Sequence, residues 1–183
     1  MEPLLILPML AFVLLVVLFS LVLRRAGRFL AQTRDVERFR RQVRDLVERI
    51  ETSLGEISGR VDAVRRGQMG ADALGDDLKA SLDAVALYAD EARSLRPPSA
   101  GAAIRDEIIA ELGHAARALE MVEHGRSIQV SARSGGRELE AQTSIKRGYL
   151  NVLHAREAIA HQAKLVATMA AADAASRIQR RNA

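Results

Sequence analysis

The chain has 183 residues, no cysteine, no tryptophan, an aromatic content of 3% and a formal net charge of +4. Without cysteine there are no disulfides, thiolate metal sites or cysteine nucleophiles, and a reducing compartment suits such a protein. With so few aromatic side chains the interior must be aliphatic and alanine-lined, and single-stranded nucleic acid would find no stacking platform.

Residues Leu4 to Leu23 form an apolar run broken only by Pro8 and Ser20, and Arg24 and Arg25 follow at once. Roughly 20 such residues, at about 1.5 Å each, match a ~30 Å hydrocarbon core. Residues 1–25 are therefore expected to be an N-terminal transmembrane anchor. Glu2 lies on one flank and Arg24, Arg25 and Arg28 on the other. The positive-inside bias then puts the N-terminus outside and the rest in the cytoplasm, making a single-pass protein of the cell (inner) membrane. A cleaved secretory signal is the competing reading. It needs a basic leading region, a shorter apolar core and small residues at the cleavage point, where this chain has Arg-Arg. Pro8 falls in the outer first turn, where proline costs least.

The positive charge is local. Residues 24–49 hold nine arginines against Asp35, Glu37, Asp45 and Glu48, while residues 50–183 hold eighteen basic and eighteen acidic side chains. Arg24, Arg25, Arg28, Arg34, Arg38, Arg40, Arg41 and Arg44 form the candidate membrane-surface cluster. Each basic side chain near anionic headgroups gains about 1 kcal/mol, fading within a Debye length. The plainer reading is a stop-transfer cluster. Nucleic acid is a disfavoured partner, because the distal part is neutral, the arginines have only Phe29 and Phe39 among them for base stacking and no recognition motif is present.

Residues 26–66 are expected to be one long amphipathic helix continuing from the membrane. Phe29, Val36, Val43, Ile50, Ile57 and Val64 recur every seven residues, joined by Val47, Leu54 and Val61. Such a heptad stripe must be buried on another helix. Its candidate packing seam is Val43, Val47, Ile50, Leu54, Ile57, Val61 and Val64. Gly55 and Gly59 make a Gly-x-x-x-Gly step, but in a charged helix it reads first as a tolerated weakness and only second as a close-approach site. Glycines between Gly67 and Gly75 predict the first turn.

Residues 67–183 should hold the remaining helices, over about 71–96, 103–133 and 137–180. Leu74, Leu78, Leu82, Val85, Ala89 and Ala92 share a face of the second. Pro97, Pro98, Ser99 and Gly101 end it at Arg96. Ile104, Ile108, Leu112, Ala115, Leu119 and Val122 line the third, which should stop at Ser134, Gly135 and Gly136. The fourth has its seam at Ile145, Val152, Ile159 and Val166, with Tyr149, Ala163 and Ala170 between, and Arg177, Arg180 and Arg181 suit the negative end of its dipole. Short connections imply antiparallel neighbours. The expected fold is all-α: the anchor, then an elongated antiparallel bundle or folded-back coiled coil of about four helices, closed within one chain or between copies.

Chemistry is sparse. Glu111 and His114 have the Glu-x-x-His spacing that di-iron bundles use twice, but one copy makes no site, and His154, Glu157, His161 and His124 read as solvated. No phosphate loop and no nucleophile beside an oriented base is visible. The expectation is a protein with no catalytic, metal or cofactor site. Its partners would be the lipid bilayer and an unidentified cytoplasmic protein, and self-association stays open. Two alternatives stand beside that scaffold reading: a signal transmitter working through the juxtamembrane helix, and an anionic-lipid-binding module. The arginine and alanine bias is that of a GC-rich bacterial genome.

Overall fold

No proline interrupts residues 9–96, and the first helix of the computed structural model, α1 (Ile6–Arg65), runs unbroken from the apolar segment into the amphipathic one. The structure describes residues 6–131 and 136–181, with side chains described at 14, 15, 17–20, 34–131 and 136–168. Among the described residues no helix is long and apolar enough to cross a membrane. The anchor expected at residues 1–25 falls only partly on described residues, since 1–5 and most side chains up to Arg25 lie outside them.

α1 ends where Gly67 adopts a φ of +71°. The Gly67 amide donates to the Val64 carbonyl at 3.0 Å and the Gln68 amide to that of Ala63 at 2.8 Å, a Schellman stop that glycine alone reaches without strain. The second helix does not begin at Ala71, as periodicity suggested. Ala71–Leu74 is a 3₁₀ turn and α2 spans Gly75–Ser94. In the tighter turn residues three apart eclipse, so Ala71 and Leu74 both reach the core. α2 also stops earlier than Arg96. Leu95 is already extended (φ −60°, ψ 138°), one residue ahead of the position Pro97 restricts, and its side chain is buried.

After a 3₁₀ turn at Ser99–Gly101, α3 spans Ala102–Ser131 and α4 spans Glu138–Arg181. The expected stop of α3 at Ser134 and Gly135 lies outside the described residues. α4 opens with Glu138 and Glu140, which favour its positive end.

Each helix packs on the next and α4 returns against α1, giving an up-down-up-down four-helix bundle closed within one chain. Its interior is the seam Val43 to Val64, the apolar faces of α2 and α3, and Ile145, Val152, Ile159 and Val166 of α4. Leu46 and Phe39, absent from the heptad, are buried as well. A helix packed on two neighbours at once, α4 and α2, needs a wider stripe than a coiled-coil seam. The heptad's upper end differs too: Val36 is only half-buried, so packing starts at Phe39, and Phe29 is not among the described side chains. Phe39 seals that end of the bundle over Gly101, where an added Cβ would lie 2.7 Å from the ring.

α3 and α4 make the most extensive contact. Glycine permits it at two points. A Cβ on Gly125 would meet the Ala141 carbonyl oxygen at 2.8 Å, and one on Gly148 would meet the Ala118 carbonyl oxygen at 2.7 Å. Gly55, by contrast, faces only the Arg156 guanidinium at 3.5 Å, and Gly59 faces open space.

Candidate interaction surface on the first helix

With its apolar stripe turned inward, α1 displays the rest of its circumference as charge. Arg24, Arg25 and Arg28 lie on α1 above the bundle, with side chains outside the described set. Arg34, Arg38, Arg41 and Arg44 are exposed. Arg40 is half-buried and pairs with Glu37 at 3.5 Å, and Arg44 lies 3.4 Å from Asp45. Among the described residues Arg34, Arg38 and Arg41 make no ion pair. The expected cluster thus divides into paired and unpaired arginines. All seven seam residues, Val43, Val47, Ile50, Leu54, Ile57, Val61 and Val64, are at most 6% exposed, so they are spent inside the chain.

The α1–α2 flank is polar where the other seams are apolar. Arg49 of α1 donates to Glu91 of α2 at 2.5 Å and lies 5.8 Å from the Tyr88 ring centre. That hydrogen bond holds its guanidinium above the ordinary value, against the opposing effect of burial. Arg60 pairs with Asp77 at 2.7 Å. Two adjoining grooves of about 470 and about 620 Å³ follow this flank, sharing Ser53 and Glu56. Asp45, Glu48 and Thr52 line one wall, and Ala80, Ser81 and Tyr88 the other. Both arginines turn their charge toward α2, so Glu48 and Glu56 face the groove without an ion pair among the described residues, while Asp45 lies 3.4 Å from Arg44.

Other polar groups tie the bundle together. Arg65 lies 5.2 Å from the Tyr149 ring centre on α4, and its hydrogen bond to Asp62, with Arg66 beside it, holds that carboxyl below the usual carboxylate range. Arg126 makes a two-pronged bond to Glu123, both at 2.6 Å, and sits against Gly75. Ser144 of α4 donates to the Met121 carbonyl of α3 at 2.8 Å. Arg65–Asp62 and Arg126–Glu123 are pairs three residues apart on one helix, whereas the contacts of Arg65 with Tyr149, Arg126 with Gly75 and Ser144 with Met121 cross between helices and are not readable from spacing.

His114 lies 3.2 Å from Glu111, exposed at the ring, and His124, His154 and His161 are exposed as well. Among the described residues no group of three His, Cys, Asp or Glu is placed to hold a metal ion. What the surface offers is ordered charge on rigid helices. No family model, curated protein or solved structure matches this chain.

Proposed function

We propose that this protein is a single-pass membrane tether whose cytoplasmic helical bundle serves as a docking scaffold and carries no catalytic site. The observation behind it is the continuity of α1. One helix leads from an apolar run into the core of the bundle, and among the described residues nothing covers the side chains described in that run. Leu14, Leu15, Val17, Leu18 and Phe19 stand 53–68% exposed. In water that exposure is costly at about 25 cal/mol per Å² of apolar surface, whereas in hydrocarbon the cost disappears. The arginine pair after Leu23 supports a cytoplasmic bundle and an external N-terminus.

The buried seam supports scaffolding over self-assembly through α1, since its apolar residues are already used within the chain. Carbonate extraction of membranes tests the tether. The full-length protein should stay in the pellet at alkaline pH, and release into the supernatant would end the reading. In-cell crosslinking with mass spectrometry tests the scaffold, with crosslinks to a partner expected on α1. The same uninterrupted helix also supports the transmitter reading, in which rotation or register shift of α1 carries a signal. A helix break above the bundle separates the two, as argued in the Discussion.

A further inference from the structure

Along one narrow strip of the outer face of α1 the charges fall into two blocks of opposite sign, flanked by Glu37, Arg44 and Arg49, which pair with Arg40, Asp45 and Glu91. Arg34, Arg38 and Arg41 are followed by Asp45, Glu48 and Glu56, at spacings of three, four and eight residues. At 3.6 residues per turn all six fall within about 80° of one another, opposite Phe39, Val43, Leu46 and Ile50. All six are exposed, and among the described residues Asp45 alone has an ion-pair partner, its neighbour Arg44 at 3.4 Å. The acidic block also borders the grooves along α2, which leave room beside it.

We propose that this face is the docking surface for a helix of another protein with segmented charge, acidic beside Arg34, Arg38 and Arg41 and basic beside Asp45, Glu48 and Glu56. Lipid is the weaker occupant of the arginine block. If α1 leaves the bilayer at Leu23, Arg38 lies about 22 Å and Arg41 about 27 Å further along its axis. The headgroup layer occupies only the first ~5–8 Å of that distance. The remainder exceeds the ~8 Å Debye length at physiological salt. Arg24, Arg25 and Arg28 are near enough to serve headgroups; Arg38 and Arg41 are not. A second copy in the same membrane fits no better, because parallel α1 helices would set arginine beside arginine and glutamate beside glutamate. A partner with the opposite block order satisfies both halves at once. About three turns of basic helix would lie along the acidic block, with the Tyr88 ring, Ala80 and Ser81 against its flank.

The inference rests on the tether reading only for the distance from lipid. Its test uses the full chain in phosphatidylcholine nanodiscs and a labelled alanine-rich helical peptide of about 24 residues, long enough to span both blocks. The peptide carries glutamates on one face of its first half and lysines on the same face of its second. It should bind at least tenfold more tightly than a peptide of identical composition with alternating charges. R34Q/R38Q/R41Q and D45N/E48Q/E56Q should each lose at least tenfold, while D83N/E107Q/E120Q, on other helices, should change nothing. Helicity and melting of each variant are read alongside. A chain with the two blocks exchanged in sign should recover binding with the peptide reversed, seen by energy transfer from one labelled end. Equal binding of segmented and alternating peptides, or indifference to either triple on α1, overturns the proposal. So does an arginine effect seen only when phosphatidylserine replaces the neutral lipid. Failure to insert into nanodiscs would count against the tether instead, and the peptide titration in detergent would still decide the docking face.

Discussion

At Gly148 an added Cβ would lie 2.5 Å from a Val122 methyl group and 2.7 Å from the Ala118 carbonyl oxygen, so α3 and α4 must separate to admit any side chain there. Overpacking of this kind typically costs about 1–3 kcal/mol. Gly148→Val should lower the denaturation midpoint accordingly. Gly59 sits within α1 with nothing near its missing Cβ. Gly59→Ala should raise stability by about 0.4–1 kcal/mol, through a less free unfolded chain and better helix propensity. Asp62 gives a pH signature. Its carboxyl is held below the usual range, first by the Arg65 hydrogen bond. The stabilisation it supplies is fully present above the unfolded value, ~3.9, and vanishes as pH falls through the lower folded value. Thermal melts should show Asp62→Asn less stable than wild type at neutral pH, with the gap closing on acidification below pH ~4. A gap that widened in acid would refute the assignment.

Among the helices, what the sequence made legible is what repeats along one element. Val43 to Val64, Ile104 to Val122 and Ile145 to Val166 were visible as apolar periodicity and are buried. Pro97 and Gly67 marked real stops. What stayed hidden depends on two elements meeting. Gly148 lies on the same seam as Ile145 and Val152, and Gly125 three residues after Val122, so both were in the right stripe. Only the partner helix reveals that those positions must be empty, while the more conspicuous Gly55 and Gly59 lie off any tight contact. The division of the arginine cluster is local to α1, where Arg40 pairs with Glu37 and Arg44 with Asp45. The pairs that spacing could not give need a neighbouring helix: Arg49 is taken by Glu91 and Arg60 by Asp77, both on α2. A double-mutant cycle on Arg49 and Glu91 should return a coupling of only ~0.2–1 kcal/mol, because both side chains are 37% exposed or more. Leu54→Ala, at a fully buried site, should cost about 2–5 kcal/mol. The polar flank therefore sets alignment and the apolar seam sets stability.

For the whole molecule, α1 runs unbroken from the apolar run into the bundle, and two experiments separate the uses proposed for it. A Gly-Pro pair inserted between Arg28 and Phe29 breaks the helix above Phe39, where the core begins. A tether tolerates the break: partner crosslinks should persist and the bundle should melt as before. A transmitter does not, since rotation or register shift would no longer pass the break. Orientation can be read cleanly because the chain has no cysteine. Glu2→Cys and Ser127→Cys each introduce a unique thiol, the second on an exposed position of α3. With an external N-terminus, a membrane-impermeant maleimide should label the first in intact cells and the second only after lysis. Labelling of Ser127→Cys from outside intact cells would reverse the topology. Arg24 and Arg25 would then lie on the wrong side of the bilayer for the positive-inside bias, and the anchor would have to be re-derived from something other than charge.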